Sequence, residues 1–167
     1  MTPLTLRPAT RDDARLLWEW ANDPDVRANA FFPEPIPWET HRAWLDRKLA
    51  APDCRIWIAA RGGAPVGQVR YDRAGDAAEI GISVAAAGRG QGLGTALLRA
   101  SAPRACAELG VRRLVALVKP QNHASARAFE RAGFRQVGTT TRHGQPCLEF
   151  ELTCAPAGAG RVQQEVG

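Results

Sequence analysis

The pattern of apolar and polar positions along the chain predicts four helices. Ala14, Leu17, Trp18 and Ala21 recur at i, i+3, i+4 and i+7, which places them on one face of an amphipathic helix. The other three helices are predicted over about 38–50, 93–109 and 122–133. Pro103 falls inside the third of these and lacks the N–H that a helix interior uses, so we expect it to kink or break that helix.

Seven shorter segments have the length and composition of β-strands. The fourth alternates clearly, with Ile80, Ile82 and Val84 on one face and Glu79 and Ser83 on the other. Short turns separate the second, third and fourth strands, which should form an antiparallel meander. Strands that alternate with helices after this meander predict an α/β (α+β) fold with a mixed sheet. The strands are predicted at Leu4–Arg7, Cys54–Ala60, Pro65–Tyr71, Ala77–Ala85, Arg112–Lys119, Phe134–Thr141 and Pro146–Leu152.

Length and composition are those of one soluble globular domain. The 167 residues are 45% hydrophobic and 23% charged, and no apolar run approaches the roughly 20 residues that span a bilayer. We expect a single domain over 1–154 and a mobile, small and polar tail over 155–167. The N-terminus has no apolar signal core, so we expect a cytoplasmic protein without a membrane partner.

The charge is basic but dispersed. The net charge is +5, and 20 of the 22 cationic side chains are arginines scattered along the chain. A nucleic-acid partner would require a clustered basic stripe with aromatic platforms, which this pattern lacks, so none is expected. The four cysteines show neither a C-x-x-C pair nor metal-ligand spacing with histidines, which predicts no metal site and reduced, structural thiols. These cysteines are Cys54, Cys106, Cys147 and Cys154.

A glycine-rich turn follows the fourth strand and opens the third predicted helix. It reads Arg89-Gly90-Gln91-Gly92-Leu93-Gly94-Thr95. The first N–H groups of a helix have no internal partner, and glycines let such donors close around a phosphate. The turn fits neither the G-x-G-x-x-G fingerprint nor a Walker motif. It therefore predicts a site for a pyrophosphate or similar anion, with a flexible connector as the alternative.

Two motifs together resemble one family. Arg89-x-x-Gly92-x-Gly94 resembles the [QR]-x-x-G-x-[GA] loop of the GNAT superfamily of acyl-CoA-dependent N-acetyltransferases. Asn122–Ser125 followed by Phe129–Phe134 resembles the N-x-x-[SA]…[YF]-E-x-x-G-F helix of the same family. The resemblance covers about residues 3–152. It implies a mixed, mostly antiparallel sheet of about seven strands with splayed fourth and fifth strands, flanked by about four helices.

The resemblance also implies where coenzyme A binds. Its pyrophosphate would lie on the N–H groups of 89–95, and its pantetheine arm would pair along the fourth strand. Asn122 and Ser125 would face the arm, although both are also good helix-capping residues, and Phe129 is equally plausible as core. The residues implied to bind the cofactor are Ile82, Ser83, Val84, Arg89, Gly90, Gln91, Gly92, Leu93, Gly94, Thr95, Asn122, Ser125 and Phe129.

For the chemistry, the resemblance implies direct acetyl transfer from acetyl-CoA to a primary amine. The backbone N–H of Val84, freed where the strands splay, would stabilise the oxyanion. Glu79 is the predicted proton acceptor, with a structural ion pair to an arginine as the alternative. Many family members carry a tyrosine acid in the last helix, where this chain has Phe129, so the general acid stays unassigned.

The N-terminal third is expected to bind the acceptor. Its N-D-P-x-V-R segment, residues 22–27, resembles acetyltransferases of nucleotide-linked amino-sugars, as in pseudaminic acid biosynthesis. Arg27 is then expected to bind a diphosphate, with a solvated loop cation as the alternative. Glu39 and His41 are expected to line the amine pocket, with a packed histidine as the alternative for His41. Other acceptors left open are a protein or peptide N-terminus and an antibiotic or polyamine. A non-catalytic acyl-CoA-binding module is also open. The protein is expected to be a monomer or homodimer.

Overall fold

A computed structural model describes residues 2–156. The predicted tail over 155–167 falls outside the described residues apart from its first two positions. The strands are β1 Leu4–Pro8, β2 Cys54–Arg61, β3 Ala64–Ala74, β4 Ala77–Val84, β5 Arg113–Val118, β6 Arg135–Arg142 and β7 Gln145–Thr153. The helices are α1 Ala14–Ala21, α2 Pro24–Ala28, α3 Trp38–Ala50, α4 Leu93–Leu109 and α5 His123–Arg131.

All seven strands form one sheet in the order β1-β2-β3-β4-β5-β7-β6. Every neighbouring pair is antiparallel except β4 and β5, which are parallel because α4 crosses over between them. The mixed, mostly antiparallel sheet is confirmed. One helix was missed: α2 lies where Asn22-Asp23-Pro24 predicts only a helix end, because Asp23 caps a new helix that has Pro24 in its first turn.

Two apolar clusters cover opposite faces of the sheet. On one face, α4 and α5 pack on β3, β4, β5 and β7, and the buried Tyr71 hydroxyl lies 2.7 Å from the Ser101 hydroxyl of α4. On the other face, Leu17 of α1 and Leu45 of α3 pack on Ile56 and Ile58 of β2. The sheet is thus covered by α4 and α5 on one side and by α1 and α3 only over β2 on the other.

Helix α4 runs unbroken through Pro103. The expected break is wrong, because the helix packs closely on the sheet on both sides of the proline: Leu97, Leu98, Ala102 and Ala105 are all buried. Tertiary packing therefore overrides the loss of one backbone donor. None of the described helices is both long and apolar enough to cross a bilayer.

The expectation of four reduced cysteines is wrong for two of them. Cys106 in α4 and Cys154 after β7 form a disulfide, with their Cα atoms 5.7 Å apart. Their spacing of 48 residues gave no signal, since the fold alone brings the two segments together. Cys54 and Cys147 are buried free thiols, and burial raises the pKa of Cys54 to about 12, so that thiol stays protonated.

We expect reduction of the Cys106–Cys154 bond to lower the free energy of unfolding by up to about 4 kcal/mol, because the bond closes a loop of 48 residues in the unfolded chain. Urea unfolding with and without dithiothreitol measures the effect. Cys106→Ala should be insensitive to the reductant. A Cys106→Ala protein that still loses stability on reduction, or a wild type that loses none, contradicts the assignment.

Candidate active site

Strands β4 and β5 part after a short stretch of pairing. Their parallel pairing runs only from Ala77 to Glu79 on β4, so residues 80–84 continue without β5 beside them. On the other side, β3 pairs along the whole of β4, and the Ala85 N–H donates to the Val66 carbonyl at 2.8 Å. Because backbone groups alternate in direction along an antiparallel pair, the N–H and C=O of Val84 point into the gap.

The glycine-rich turn lies at the end of this gap and leads into α4. Gly90 and Gly92 have φ of +77° and +73°, a conformation that strains residues with a Cβ. None of the backbone hydrogen bonds formed among residues 2–156 uses the N–H groups of residues 90–95 as donors. Six consecutive donors, including those of Gln91, Leu93 and Thr95, thus have no backbone acceptor among residues 2–156, at the positive end of a 17-residue helix.

Close packing joins the turn to the gap. A Cβ on Gly88 would lie 3.5 Å from the Val84 side chain. A Cβ on Gly94 would lie 4.0 Å from the Val84 side chain and 3.4 Å from Ala128 in α5. These are van der Waals distances, so the turn lies directly against β4 at both glycines and against α5 at Gly94. The predicted phosphate loop and the predicted oxyanion donor therefore belong to one site.

Arg89 is engaged by two carboxylates from the N-terminal half. Its Nη2 lies 3.0 Å from Asp23 Oδ1, and its Nη1 lies 3.0 Å from Asp25 Oδ2. Burial alone would raise the pKa of Asp23, but hydrogen bonds from Arg89 and from two α2 backbone N–H groups hold it below its usual value. No local sequence pattern indicates this pairing, which links the turn to α2.

In the second motif, Asn122 and Phe129 both interact with other residues of the protein. Asn122 caps α5, its side chain accepting from the Ser125 N–H at 3.2 Å, which is the local alternative that the sequence left open. Phe129 is 2% exposed and packs against Phe134 and Phe150, with ring centroids 5.1 and 5.9 Å away. The structure thus assigns Phe129 to the core rather than to an exposed cofactor surface.

Glu79 lies at the point where β4 leaves β5. Its Oε1 accepts a hydrogen bond of 2.6 Å from Arg142 Nη1 in β6, and its side chain is 41% exposed. The alternative of an arginine partner is therefore present. The carboxylate nevertheless remains open to solvent beside the gap, on the face that α4 does not cover.

That uncovered face of β3 and β4 carries a polar surface that sequence reasoning missed. Its members are paired across the strands: Gln68 donates to Ser83 at 2.9 Å, Arg70 lies opposite Gly81, and Asp72 lies opposite Glu79. The signal was available, since Gln68, Arg70 and Asp72 alternate with the buried Val69 and Tyr71 along β3. We call these six residues the polar face: Gln68, Arg70, Asp72, Glu79, Gly81 and Ser83.

Arg27, expected at a diphosphate, instead holds the loop that follows α2. Its Nε donates to the Ala21 carbonyl at 2.6 Å, and its Nη1 donates to the Phe32 carbonyl at 2.9 Å. Burial lowers the pKa of this guanidinium below its ordinary value. The loop also receives hydrogen bonds from Lys119 and Gln145, so it bridges α2 to the far side of the sheet.

The two other predicted acceptor residues lie apart from the gap's polar surroundings. His41 is 4% exposed between Trp38 and Trp44, and burial lowers the pKa of its imidazole, so the packing alternative fits it better. Glu39 is 81% exposed at the start of α3, with Arg42 3.9 Å away. Neither side chain is hydrogen-bonded or ion-paired to a residue of the polar face.

The chain is similar to known acetyltransferases. An acetyltransferase (GNAT) domain model matches residues 3–135. The chain is 26% identical to aminoglycoside N(6')-acetyltransferase type 1 of Klebsiella pneumoniae, over 90% of this chain and 83% of that protein.

Solved structures of similar fold include AAC(6')-Ib in complex with ribostamycin and coenzyme A, with a TM-score of 0.80 and 24% identity over 90% of this chain and 93% of that one. They also include the Vibrio cholerae spermidine N-acetyltransferase with CoA and spermine, with a TM-score of 0.78 and 18% identity over 90% and 95% of the two chains. Those proteins are named for aminoglycosides and for spermidine, and the amino-sugar-nucleotide branch stays a hypothesis for this chain. Since the family match covers most of the chain, the protein belongs to the GNAT acetyltransferase domain family.

Proposed function

We propose that this GNAT acetyltransferase transfers an acetyl group from acetyl-CoA directly to the primary amine of a small molecule. The observation that carries the proposal is the run of six unused N–H donors at residues 90–95, next to the inward-directed Val84 N–H. The first set suits the pyrophosphate of coenzyme A, and the edge of β4 from Ile82 to Val84 suits an extended arm that pairs with it. The similarity to CoA-bound acetyltransferases supports the same reading.

In the proposed reaction, the amine nitrogen attacks the thioester carbonyl carbon, so that a C–N bond forms and the C–S bond breaks. The Val84 N–H would donate to the oxyanion as its charge develops. Glu79, on the exposed side of the gap, would accept the ammonium proton, directly or through water. The electron pair leaves with the coenzyme A thiolate. Phe129 cannot supply its proton, so solvent is the donor in this scheme.

Three acceptor classes have support of different kinds. Aminoglycosides and polyamines are the acceptors named for similar proteins. A nucleotide-linked amino-sugar is supported by the N-terminal segment alone, and the geometry of Arg27 weakens that support because its guanidinium is already bonded to loop carbonyls. A non-catalytic binding module would bind acetyl-CoA without releasing thiol in the presence of any amine.

We expect Arg89→Gln to weaken the Kd for coenzyme A by about tenfold or more, the scale of one lost charge-assisted hydrogen bond. Asp23 and Asp25 would then face the pyrophosphate without their counterion, which adds repulsion. Calorimetric titration with coenzyme A measures the change. Arg15→Gln, at a 78% exposed arginine paired with Glu19, is the matched control and should bind normally. Unchanged affinity in Arg89→Gln removes Arg89 from the phosphate site.

We expect Glu79→Gln to lower kcat by about a hundredfold or more while leaving the coenzyme A affinity intact, because general base catalysis typically contributes that much. Glutamine keeps an acceptor for Arg142, so loss of the ion pair is minimised. Thiol release from acetyl-CoA with a reactive amine gives the rate. The control is Glu108→Gln. Glu108 lies on α4 far from the gap and is ion-paired with Arg55 of β2 and Arg104 of α4. Equal rates for wild type and Glu79→Gln would exclude Glu79 as the proton acceptor.

A further inference from the structure

The side from which an amine reaches the gap is fixed by the packing. The face of β4 that carries Ile80 is filled by α4 and the first apolar cluster. The opposite face, the polar face, is only half-buried and is bordered by α3, whose Trp44 lies over Arg70. An acceptor for the proposed reaction must therefore lie against the polar face.

This surface is cationic. Its two carboxylates are already matched: Asp72 accepts from Lys48 Nζ and Arg70 Nε at 2.8 Å each, and Glu79 accepts from Arg142. Burial would raise the pKa of Asp72, but those two cationic hydrogen bonds hold it below its usual value. Three cations thus stand against two carboxylates, both of which are already paired.

Arg70 supplies the donors. Only its Nε is bonded within the described chain, so Nη1 and Nη2 donate to no residue between 2 and 156. The guanidinium carbon lies 5.1 Å from the Trp44 ring centroid, which stacks the planar group in place. Gly81 makes the room, because a Cβ there would lie 3.0 Å from Nη2. The result is a fixed guanidinium with its two terminal amino groups unused, the geometry that binds a carboxylate or phosphate in a bidentate manner.

The spacing suits an acceptor with an amine at one end and an anion at the other. Three residues of extended strand separate Gly81 from Val84, a distance of about 10 Å. We infer that Arg70, stacked on Trp44 above Gly81, binds an anionic group of the acceptor, so that the substrate is an amine bearing a carboxylate or phosphate rather than a polycation. This inference rests on the proposed acetyl transfer.

The test compares matched amines in the thiol-release assay with the full-length protein. Glucosamine 6-phosphate is paired with glucosamine, γ-aminobutyrate with butylamine, and kanamycin and spermine represent polycations. We expect the anionic member of at least one pair to have about tenfold or higher kcat/KM, which also tells phosphate from carboxylate. Arg70→Gln should bring the ratio within that pair close to one without changing the KM for acetyl-CoA.

Arg73→Gln is the matched control on the same strand, since Arg73 donates to the Gly75 and Leu109 carbonyls away from the polar face. It should keep the wild-type ratio. If Arg70→Gln does not fold, Arg70→Lys, which keeps the charge but not the paired donors, should reduce the ratio instead. Calorimetry with the anionic amines and coenzyme A provides a binding readout that is independent of turnover.

The outcomes separate the two claims. Three results would overturn the inference: a preference for the neutral amines or polycations, a ratio that survives Arg70→Gln, or neither binding nor turnover of any anionic amine. The proposed acetyl transfer still stands in these cases if acetyl-CoA is bound and some amine is acetylated. If acetyl-CoA is not bound and no amine releases thiol, the proposed function fails and the inference falls with it.

Discussion

The site depends on one constraint: β4 must leave β5 while the strand itself stays extended. Buried or half-buried backbone polar groups need partners, and on one side of β4 they find them in β3 along the whole strand. On the other side, pairing with β5 ends at Glu79, which leaves the inward groups of residues 80–84 without a strand partner. A ligand with its own amide groups can satisfy them. The same parting places Val84 beside the turn that opens α4. The end of β4–β5 pairing thus produces both the unpaired edge of β4 and its position next to the glycine-rich turn.

The order of elements and the site's backbone could be predicted from the sequence for a physical reason. Strand alternation in residues 77–85 and the glycines at 90 and 92 reflect local backbone demands, and the structure has both features where the sequence places them. The Cys106–Cys154 bond and the Arg89–Asp23 pair join segments 48 and 66 residues apart. Nothing local encodes such contacts, so they were missed.

The predicted acceptor residues Arg27 and His41 lose support for a related reason. Arg27 and His41 were selected by chemical type and by their position in the variable N-terminal third, but residue type does not reveal what else a side chain can bond. In the structure, carbonyls of the chain itself use the Arg27 guanidinium, and two tryptophans enclose the His41 ring. The polar face on β3 had a readable signal, the alternation of polar with buried residues, and that periodicity is better evidence for a functional surface than residue type alone.

The two arginines at the ends of the site differ in what they must give up to bind an anion. Arg89 is neutralised by Asp23 and Asp25, and Asp23 also caps α2, so an incoming phosphate has to compete with a carboxylate that already stabilises a helix. Arg70 shares its one carboxylate with Lys48 and keeps its terminal donors unused. Immobilising an unused guanidinium on a ligand costs less when it is already stacked and held by a neighbour, because little side-chain entropy is left to lose. Binding of an anion at Arg89 would therefore be an exchange that displaces α2 contacts, whereas binding at Arg70 would add an interaction and displace none.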